Sequence, residues 1–447
     1  MYDVIIIGAG PAGYVAALRA GQLGMKTLLI ERGRVGGRAL HAGVVPSKGM
    51  LESARFFRQV MQASHFGVEG LDTQHARFSM RTAMQRSTQV AERMSANIEA
   101  KLEARGVERI RGEAEIASGT SVSVENRVIE GRHIILATGS DTVGLPFDMP
   151  AERTATAWTA LSAPEVPERV VVLGTTPVAV EYAQLFSMLG STVTIATAMP
   201  GLLPMLGPRL VEAVTRRLES AGVEIITDAG TYSYGNGHLK IGTETAPCDL
   251  LINCIAERGV LPGGEISFEM AGPFPNVDAY LRTSVETIYA VGNVNGITPT
   301  ARSASAQGLY AVNNIAGVTD PWVKGDEPVV VYGEPEIAQI GRTESELEAD
   351  GVAFRSVEAP LTENSTALIR GAGDGFVRIL FEQTYGEVLG VQIFAENASD
   401  LVGEAAAMMR FEGTVYDAAR TAHAHPTISE VFMDLGRTAG EDIESIT

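Results

Sequence analysis

Three glycines near the amino terminus have the spacing of a phosphate-binding turn. Gly8, Gly10 and Gly13 follow the apolar run 4–7 and precede a helix-forming segment. In such a turn the first glycine allows the tight bend, the second lets the backbone approach a pyrophosphate, and the third lets helix and strand pack closely. Glu31 ends the next predicted strand, 27–31, where a carboxylate can accept hydrogen bonds from ribose hydroxyls. Together these features predict a dinucleotide site.

A second strand–turn–helix segment, starting at 169–173, departs from this pattern. Its turn keeps Gly174, but Thr176 stands where the backbone should approach a pyrophosphate, and Pro177 has no backbone N–H. Its second strand ends at Thr197, which leaves no carboxylate for a ribose. We predict weak or absent NAD(P) binding here, and an unusual nicotinamide site is the alternative.

The two cysteines, Cys248 and Cys254, lie six residues apart in one apolar segment. Six residues of strand span about 20 Å, whereas a disulfide requires Cα atoms within about 7 Å. We therefore interpret both as core thiols, a usage typical of a reducing compartment.

Length and charge narrow the class of protein. The chain has 447 residues, enough for about three domains. The net charge of −19 argues against binding nucleic acid or an anionic membrane surface. The chain begins with a strand pattern and no apolar run is long enough to span a bilayer, so we predict a cytoplasmic protein. We predict no metal site.

The spacing of apolar residues predicts the helices and strands that surround these turns. Apolar spacing indicates helices at 14–23, 47–62, 83–105 and 179–189. Apolar runs indicate strands at 133–137, 191–197, 249–255, 329–332, 376–382 and 387–393. The alternation of strand and helix indicates doubly wound α/β domains, and the last three strands belong to an α+β domain.

Several longer motifs lie in a fixed order along the chain. They are Gly36-Gly37 with Pro46-Ser47-Lys48, Ala137-Thr138-Gly139-Ser140, Leu281-Arg282-Thr283-Ser284 before Ile288–Asn293, and His423–Glu430. Together with the glycine turn, they resemble the pyridine nucleotide–disulfide oxidoreductases, most closely the dihydrolipoamide dehydrogenase branch. The resemblance covers nearly the whole chain.

The resemblance implies two doubly wound Rossmann-like FAD/NAD(P)-binding domains plus a C-terminal α+β dimerisation domain. We place an FAD-binding domain at 1–148, an NAD-like domain with the altered motif at 149–268, a return to the FAD domain at 269–322, and the dimerisation domain at 323–447. Bound FAD and a homodimer follow from the same resemblance.

The resemblance also implies which residues hold FAD. They are Gly8, Gly10, Gly13, Glu31, Gly37, Arg38, Lys48, Ala137, Thr138, Gly139 and Asn293. Asn293 replaces an Asp that contacts the ribityl chain in the family. Lys48 would lie beside flavin N5 and pair with Glu181, and a cation there favours the anionic reduced flavin. A buried structural ion pair is the rival interpretation of these two residues.

The family's redox-active cysteines correspond to Ala39 and Val44, which cannot form a disulfide or relay electrons. We expect an apolar cavity in their place, with two polar side chains at its edge. Arg38 could hold a carboxylate or phosphate, and His41 could act as a second base. Both are otherwise ordinary loop residues.

The family's general base and its orienting carboxylate correspond to His425 and Glu430. An imidazole suits proton transfer at neutral pH. The alternative is that the two residues only stabilise the dimer interface.

Three functions fit these features. One is an FAD-dependent oxidoreductase that oxidises a small or carrier-bound substrate directly on the flavin, with O2, a quinone or an electron-transfer protein as acceptor. Another is oxidation of a dihydrolipoyl or other thiol directly on the flavin. The third is a catalytically silent FAD-binding scaffold or sensor.

Overall fold

The computed structural model describes residues 1–318, 321–322 and 327–444. The strands are β1 Tyr2–Ile7, β2 Thr27–Glu31, β3 Glu108–Arg111, β4 Ala114–Ser118, β5 Ser121–Val124, β6 Arg127–Leu136, β7 Ser140–Thr142, β8 Thr154–Thr156, β9 Arg169–Leu173, β10 Thr192–Ala196, β11 Glu224–Ile226, β12 Tyr232–Gly235, β13 His238–Ile241, β14 Glu244–Pro247, β15 Leu250–Asn253, β16 Glu257–Gly259, β17 Gly263–Gly264, β18 Met270–Ala271, β19 Phe274–Pro275, β20 Ile288–Ala290, β21 Val329–Val331, β22 Glu336–Gly341, β23 Phe354–Pro360, β24 Phe376–Glu382 and β25 Val388–Ala395. The α-helices are α1 Pro11–Gln22, α2 Gly37–His41, α3 Val44–Met61, α4 Met80–Ala104, α5 Pro177–Met188, α6 Pro208–Ser220, α7 Ala301–Ile315, α8 Glu344–Ala349, α9 Ser365–Arg370, α10 Ala398–Arg410, α11 Val415–Arg420 and α12 Glu430–Glu444.

The chain forms two compact units. The first comprises residues 1–146, 155–165 and the described part of 255–325. The second comprises 147–154, 166–254 and the described part of 326–447. The predicted boundary at 322/323 adjoins residues 323–326, which lie outside the described residues, as do 319–320 and 445–447.

The first unit is built on a sheet with the order β17-β4-β5-β6-β1-β2-β3, and β20 pairs with β6. Strands β1, β2, β3, β6 and β20 pair in parallel. Alternate residues of β1 enter different apolar clusters: Val4 and Ile6 pack in one, and Ile5 and Ile7 in the other. A parallel sheet covered on both faces needs such continuous apolar strands. The doubly wound prediction is therefore confirmed.

The second unit contains two kinds of sheet. Strands β11-β10-β9-β15 pair in parallel, and β21-β22-β25-β24-β23 form an antiparallel sheet. Helices α10 and α12 pack against the antiparallel sheet. This arrangement confirms the predicted α+β region and adds two strands, β22 and β23, that the sequence pattern did not predict.

All four predicted helices begin earlier than their apolar spacing predicted. Helices α1, α3 and α4 each start three residues early, at Pro11, Val44 and Met80, and α5 starts two residues early, at Pro177. The Ser79 hydroxyl caps α4 by accepting a hydrogen bond from the Thr82 N–H at 3.2 Å. Such caps set helix starts independently of apolar periodicity. No helix among the described residues is long and apolar enough to cross a membrane.

Candidate functional site

The glycine turn after β1 has two glycines fixed by packing and one that faces open space. Gly8 has φ +100°, and a Cβ there would lie 2.4 Å from the Ala137 carbonyl oxygen. A Cβ at Gly13 would lie 1.8 Å from the Gly8 carbonyl oxygen. A Cβ at Gly10 would meet no atom within 4 Å. Gly10 therefore leaves room for a ligand to approach the backbone.

The start of α1 is not capped by any side chain. Gly10 is its N-cap residue, so the first N–H groups of the helix have no side-chain acceptor. The turn at Gly36 and Gly37 packs against this end of α1. The Gly36 N–H donates to the Ala9 carbonyl at 2.8 Å, and a Cβ at Gly37 would lie 2.9 Å from the Gly10 Cα. Gly37 is thus brought directly against Gly10.

The other predicted FAD residues of the first unit meet at the same edge of the sheet. Ala137 follows β6, and its N–H donates to the Ile7 carbonyl at 2.8 Å. The Thr138 hydroxyl donates to the Val260 carbonyl. Asn293 follows β20, and its amide lies 3.4 Å from the Ser140 hydroxyl. Ligands of doubly wound sheets bind at this carboxyl edge of the strands.

Glu31 is fixed by two backbone N–H groups. Its carboxylate accepts from Ala9 N at 2.6 Å and from Gly33 N at 2.7 Å. Each oxygen keeps further acceptor capacity for a ribose hydroxyl. Glu31 lines a cavity of about 780 Å³, within the range of cofactor sites. The polar lining also includes Arg34, His41, Glu92, Ser95, Glu99, Arg109 and Arg111.

Arg38 is occupied by contacts within the first unit. Its guanidinium donates to the Ser140 carbonyl and, at 3.0 Å, to the Asp141 carboxylate. It also lies over the Trp158 ring, 5.4 Å from the centroid. Asp141 and Trp158 are more than 100 residues away in sequence, so no local signal could have identified them. The Arg38 guanidinium therefore binds the carboxylate of Asp141, whereas we expected it to bind a carboxylate or phosphate of a ligand.

The positions expected to border an apolar cavity are partly open to solvent. Val44 is 42% exposed, and Ala39 is half-buried. The His41 Nε2 lies 2.9 Å from the Val35 carbonyl oxygen, so that nitrogen donates to the backbone. The same side chain lines the cavity beside Glu31. His41 therefore lies beside the predicted ribose site, and the contact of its Nε2 with the backbone does not support a role as a second base.

Lys48 and Glu181 lie in different units. Lys48 is half-buried in α3 of the first unit. Glu181 is 3% exposed in α5 of the second, and its carboxylate accepts the Tyr332 N–H at 3.0 Å. Their pairing remains a prediction.

The C-terminal turn brings His425 and Glu430 together. The His425 Nδ1 lies 2.7 Å from a Glu430 carboxylate oxygen, and the other oxygen accepts the Thr427 N–H at 2.6 Å. These contacts, with the charges of His425 and His423, hold the pKa of Glu430 below its ordinary value. The His425 side chain is 77% exposed, and Nε2 has no partner among the described residues. An ionised carboxylate thus orients an imidazole whose other nitrogen is accessible.

In the corresponding turn of the second unit, the Thr176 side chain caps the helix that follows. Gly174 has φ +138°, and a Cβ there would lie 2.4 Å from the Cys254 carbonyl oxygen. Thr176 is the N-cap of α5, and its hydroxyl accepts the Ala179 N–H at 3.4 Å. The Thr197 hydroxyl accepts the Met199 N–H at 3.0 Å.

One part of the sequence argument about this turn is wrong. Pro177 is the first residue of α5, but Pro11 is likewise the first residue of α1. The N–H at this helix position is not used in the helix in any case. Pro177 therefore does not distinguish the second turn from the first, and Thr176 and Thr197 carry the difference.

The two cysteines are buried in the second unit, and neither forms a disulfide. Burial, and next the charge of Asp249, raises the pKa of Cys248 to about 11. The interpretation as core thiols is confirmed.

Comparison with known proteins agrees with this geometry. The family model described as pyridine nucleotide-disulphide oxidoreductase matches residues 2–308, and that family's dimerisation domain matches residues 327–435. A mitochondrial dihydrolipoyl dehydrogenase of Pisum sativum is 30% identical and covers 97% of this chain and 90% of its own length. A leghemoglobin reductase of Vigna unguiculata is 31% identical, covering 97% of this chain and 86% of its own.

A solved structure has the same fold. LpdA from Mycobacterium tuberculosis aligns with a TM-score of 0.88 at 25% identity, over 97% of this chain and 99% of its own. Members of the matched family are flavin-dependent oxidoreductases that bind FAD. By the extent of these matches, the chain belongs to the pyridine nucleotide–disulfide oxidoreductase family, with that family's dimerisation domain.

Proposed function

We propose that this protein oxidises a small or carrier-bound substrate directly on FAD, without a protein disulfide and without efficient use of NAD(P)H. The observation that supports this most is the His425–Glu430 pair. The chain keeps an oriented base with an accessible nitrogen, while it has Ala39 and Val44 at the positions that match the family's cysteines. A homodimer in which His425 serves the neighbouring subunit is part of the proposal.

The residues of the first unit fit FAD. The uncapped start of α1 and the open face of Gly10 suit a pyrophosphate. Glu31 and the cavity of about 780 Å³ suit the adenosine end. Ala137, Thr138, Gly139 and Asn293 follow the neighbouring strands, where the rest of the cofactor would lie.

When bound, FAD supplies the two-electron acceptor of the reaction, and O2, a quinone or an electron-transfer protein returns it to the oxidised state. The protein's own contribution is proton handling. His425 donates Nδ1–H to Glu430, which leaves the Nε2 lone pair to take the proton that the substrate releases on oxidation. Glu430 also stabilises the imidazolium that forms.

A dihydrolipoyl thiol is the second candidate substrate. Relatives that match almost the whole chain are named dihydrolipoyl dehydrogenases. In this version the substrate's own two sulfurs form the disulfide product, so no protein cysteine is required. A catalytically silent scaffold would leave the accessible Nε2 of His425 unused, and we rank it last.

The test is an anaerobic titration of the purified holoprotein, followed through the visible flavin band. Dihydrolipoamide and NADH are added separately, and His425→Gln is the matched variant because it keeps a polar side chain of similar size. Bleaching by dihydrolipoamide that slows in His425→Gln supports the thiol version. Rapid bleaching by NADH would contradict the proposal. If neither reagent bleaches the band, a non-thiol substrate remains as the proposed class.

A further inference from the structure

His423 is a second histidine of the C-terminal turn, and the proposed mechanism does not use it. Its side chain is only 6% exposed, whereas that of His425 is 77% exposed. The two rings therefore lie two residues apart in sequence but in opposite environments.

Both ring nitrogens of His423 face groups that can only accept hydrogen bonds. Nε2 lies 2.6 Å from a Glu404 carboxylate oxygen, and Nδ1 lies 3.0 Å from the Thr421 carbonyl oxygen. A neutral imidazole has one N–H, so one contact would place a lone pair against an acceptor. Both contacts are favourable together only if the ring carries two N–H groups.

We propose that His423 is a positioning residue, held as an imidazolium between Glu404 and the Thr421 carbonyl, that fixes the turn presenting His425. The function assigned to the turn rests on the proposed function above, whereas the state of the His423 ring does not. With both N–H groups donated to Glu404 and Thr421, His423 offers a substrate neither a free lone pair nor a free N–H.

The contacts of the turn show how this positioning would work. Glu404 belongs to α10, which packs on the antiparallel sheet, and it holds one end of the turn through His423. Glu430 starts α12 and holds the other end of the turn through the Thr427 N–H. The segment between these anchors carries His425. A turn fixed at both ends keeps Nε2 within the narrow range that proton transfer requires.

Two changes at Glu404 separate geometry from charge. Glu404→Gln keeps a group of the same shape, and its amide can donate to Nε2 of a neutral ring, so the turn stays in place. Glu404→Ala removes the anchor. His75→Ala is the matched control, since His75 forms a similarly short pair with Asp72, at 2.7 Å, on an exposed surface of the other unit.

The experiment is NMR of the holoprotein with nitrogen-15 in the histidine rings, of which the chain has seven. We expect His423 to show protons on both ring nitrogens at neutral pH, and Glu404→Gln to remove one of them. We expect the Nδ1 proton of His425 to be protected from exchange in the wild type, in Glu404→Gln and in His75→Ala, and to lose protection in Glu404→Ala. A single N–H on wild-type His423, or full protection of His425 in Glu404→Ala, would overturn the proposal.

Turnover separates this proposal from the proposed function. With any substrate found, Glu404→Ala should lower kcat by about 10- to 100-fold with little change in KM, because it misplaces the base. In Glu404→Gln, which keeps the hydrogen bond to His423, kcat should be well above that of Glu404→Ala and near that of the wild type. If His425→Gln leaves turnover unchanged, the proposed function fails while the state of His423 can still stand. If His425→Gln lowers turnover and Glu404→Ala does not, the positioning role fails alone.

Discussion

The two strand–turn–helix segments carry the same first glycine for the same reason. A Cβ at Gly8 or at Gly174 would lie 2.4 Å from the carbonyl oxygen of the residue that directly follows a neighbouring strand, Ala137 or Cys254 respectively. Both glycines have positive φ. This glycine is therefore required by the fold, whether or not the turn binds a ligand. Its presence says little about function.

The next positions separate the turns. Gly10 leaves the start of α1 uncapped, whereas the Thr176 hydroxyl caps α5. Gly13 cannot accept a Cβ, whereas the corresponding Ala179 carries one and is fully buried. Helix and strand therefore approach more closely in the first unit, and the end of its helix is left for a ligand.

The side chains at the ends of the second strands, Glu31 and Thr197, show the same division. Glu31 accepts the N–H of Gly33, two residues on, and Thr197 accepts the N–H of Met199, also two residues on. Thr197 thus makes the same local hydrogen bond to the backbone as Glu31 does. It lacks the second oxygen that would reach a ribose.

The largest effect is expected from Gly13→Ala. The added Cβ would lie 1.8 Å from the Gly8 carbonyl oxygen, and backbone must move to admit it. We expect a loss of about 3 kcal/mol in the free energy of unfolding, measured by denaturant titration of the apoprotein. Gly144→Ala is the control, because a Cβ there meets no atom within 4 Å. Equal stability of the two variants would show that the close approach in the first unit is not required.

Gly10→Thr gives the first turn the N-cap residue of the second. The hydroxyl would cap α1, so apoprotein stability should change little, while the side chain occupies the open space above the turn. We expect FAD affinity to fall at least about tenfold, or 1.4 kcal/mol, in a fluorescence titration of apoprotein with FAD. Unchanged FAD affinity would mean that the open face of Gly10 is not the pyrophosphate site.

The reverse change is Thr176→Gly combined with Thr197→Glu. It uncaps α5 and supplies a carboxylate at the end of β10, the two features that the second unit lacks. We expect NADH affinity to rise about tenfold over a barely detectable wild-type value, measured by calorimetry. Tight NADH binding by the wild-type protein would refute the proposal that the second turn is closed to nicotinamide cofactors.

The sequence predicted the local elements of these regions but not the contacts between distant residues, for physical reasons. Glycine spacing and apolar runs are local signals, so both strand–turn–helix segments and the α+β region were correctly placed. Contacts between distant residues leave no such signal. The partners of Arg38, at Asp141 and Trp158, and the anchoring of His423 by Glu404 became visible only in the folded chain.

The prediction about Pro177 is wrong for a different reason. Pro11 and Pro177 both lie three residues after the first glycine of their turn and both start the following helix. The missing N–H is therefore common to the two turns, and the sequence alone contains this equivalence.

The smallest expected effect is that of Thr176→Ala, which tests whether the hydroxyl is a cap at all. The Thr176 contact is long, at 3.4 Å, so we expect a loss near the low end for N-caps, about 0.5 kcal/mol. Thr343→Ala is the matched comparison within the same unit. Thr343 accepts the Glu346 N–H at 3.2 Å and belongs to a capping box, so its loss should cost more, about 1 kcal/mol. If Thr176→Ala were instead stabilising, the hydroxyl would be a hindrance at that turn, and Thr176 would have to be explained by a ligand that it contacts.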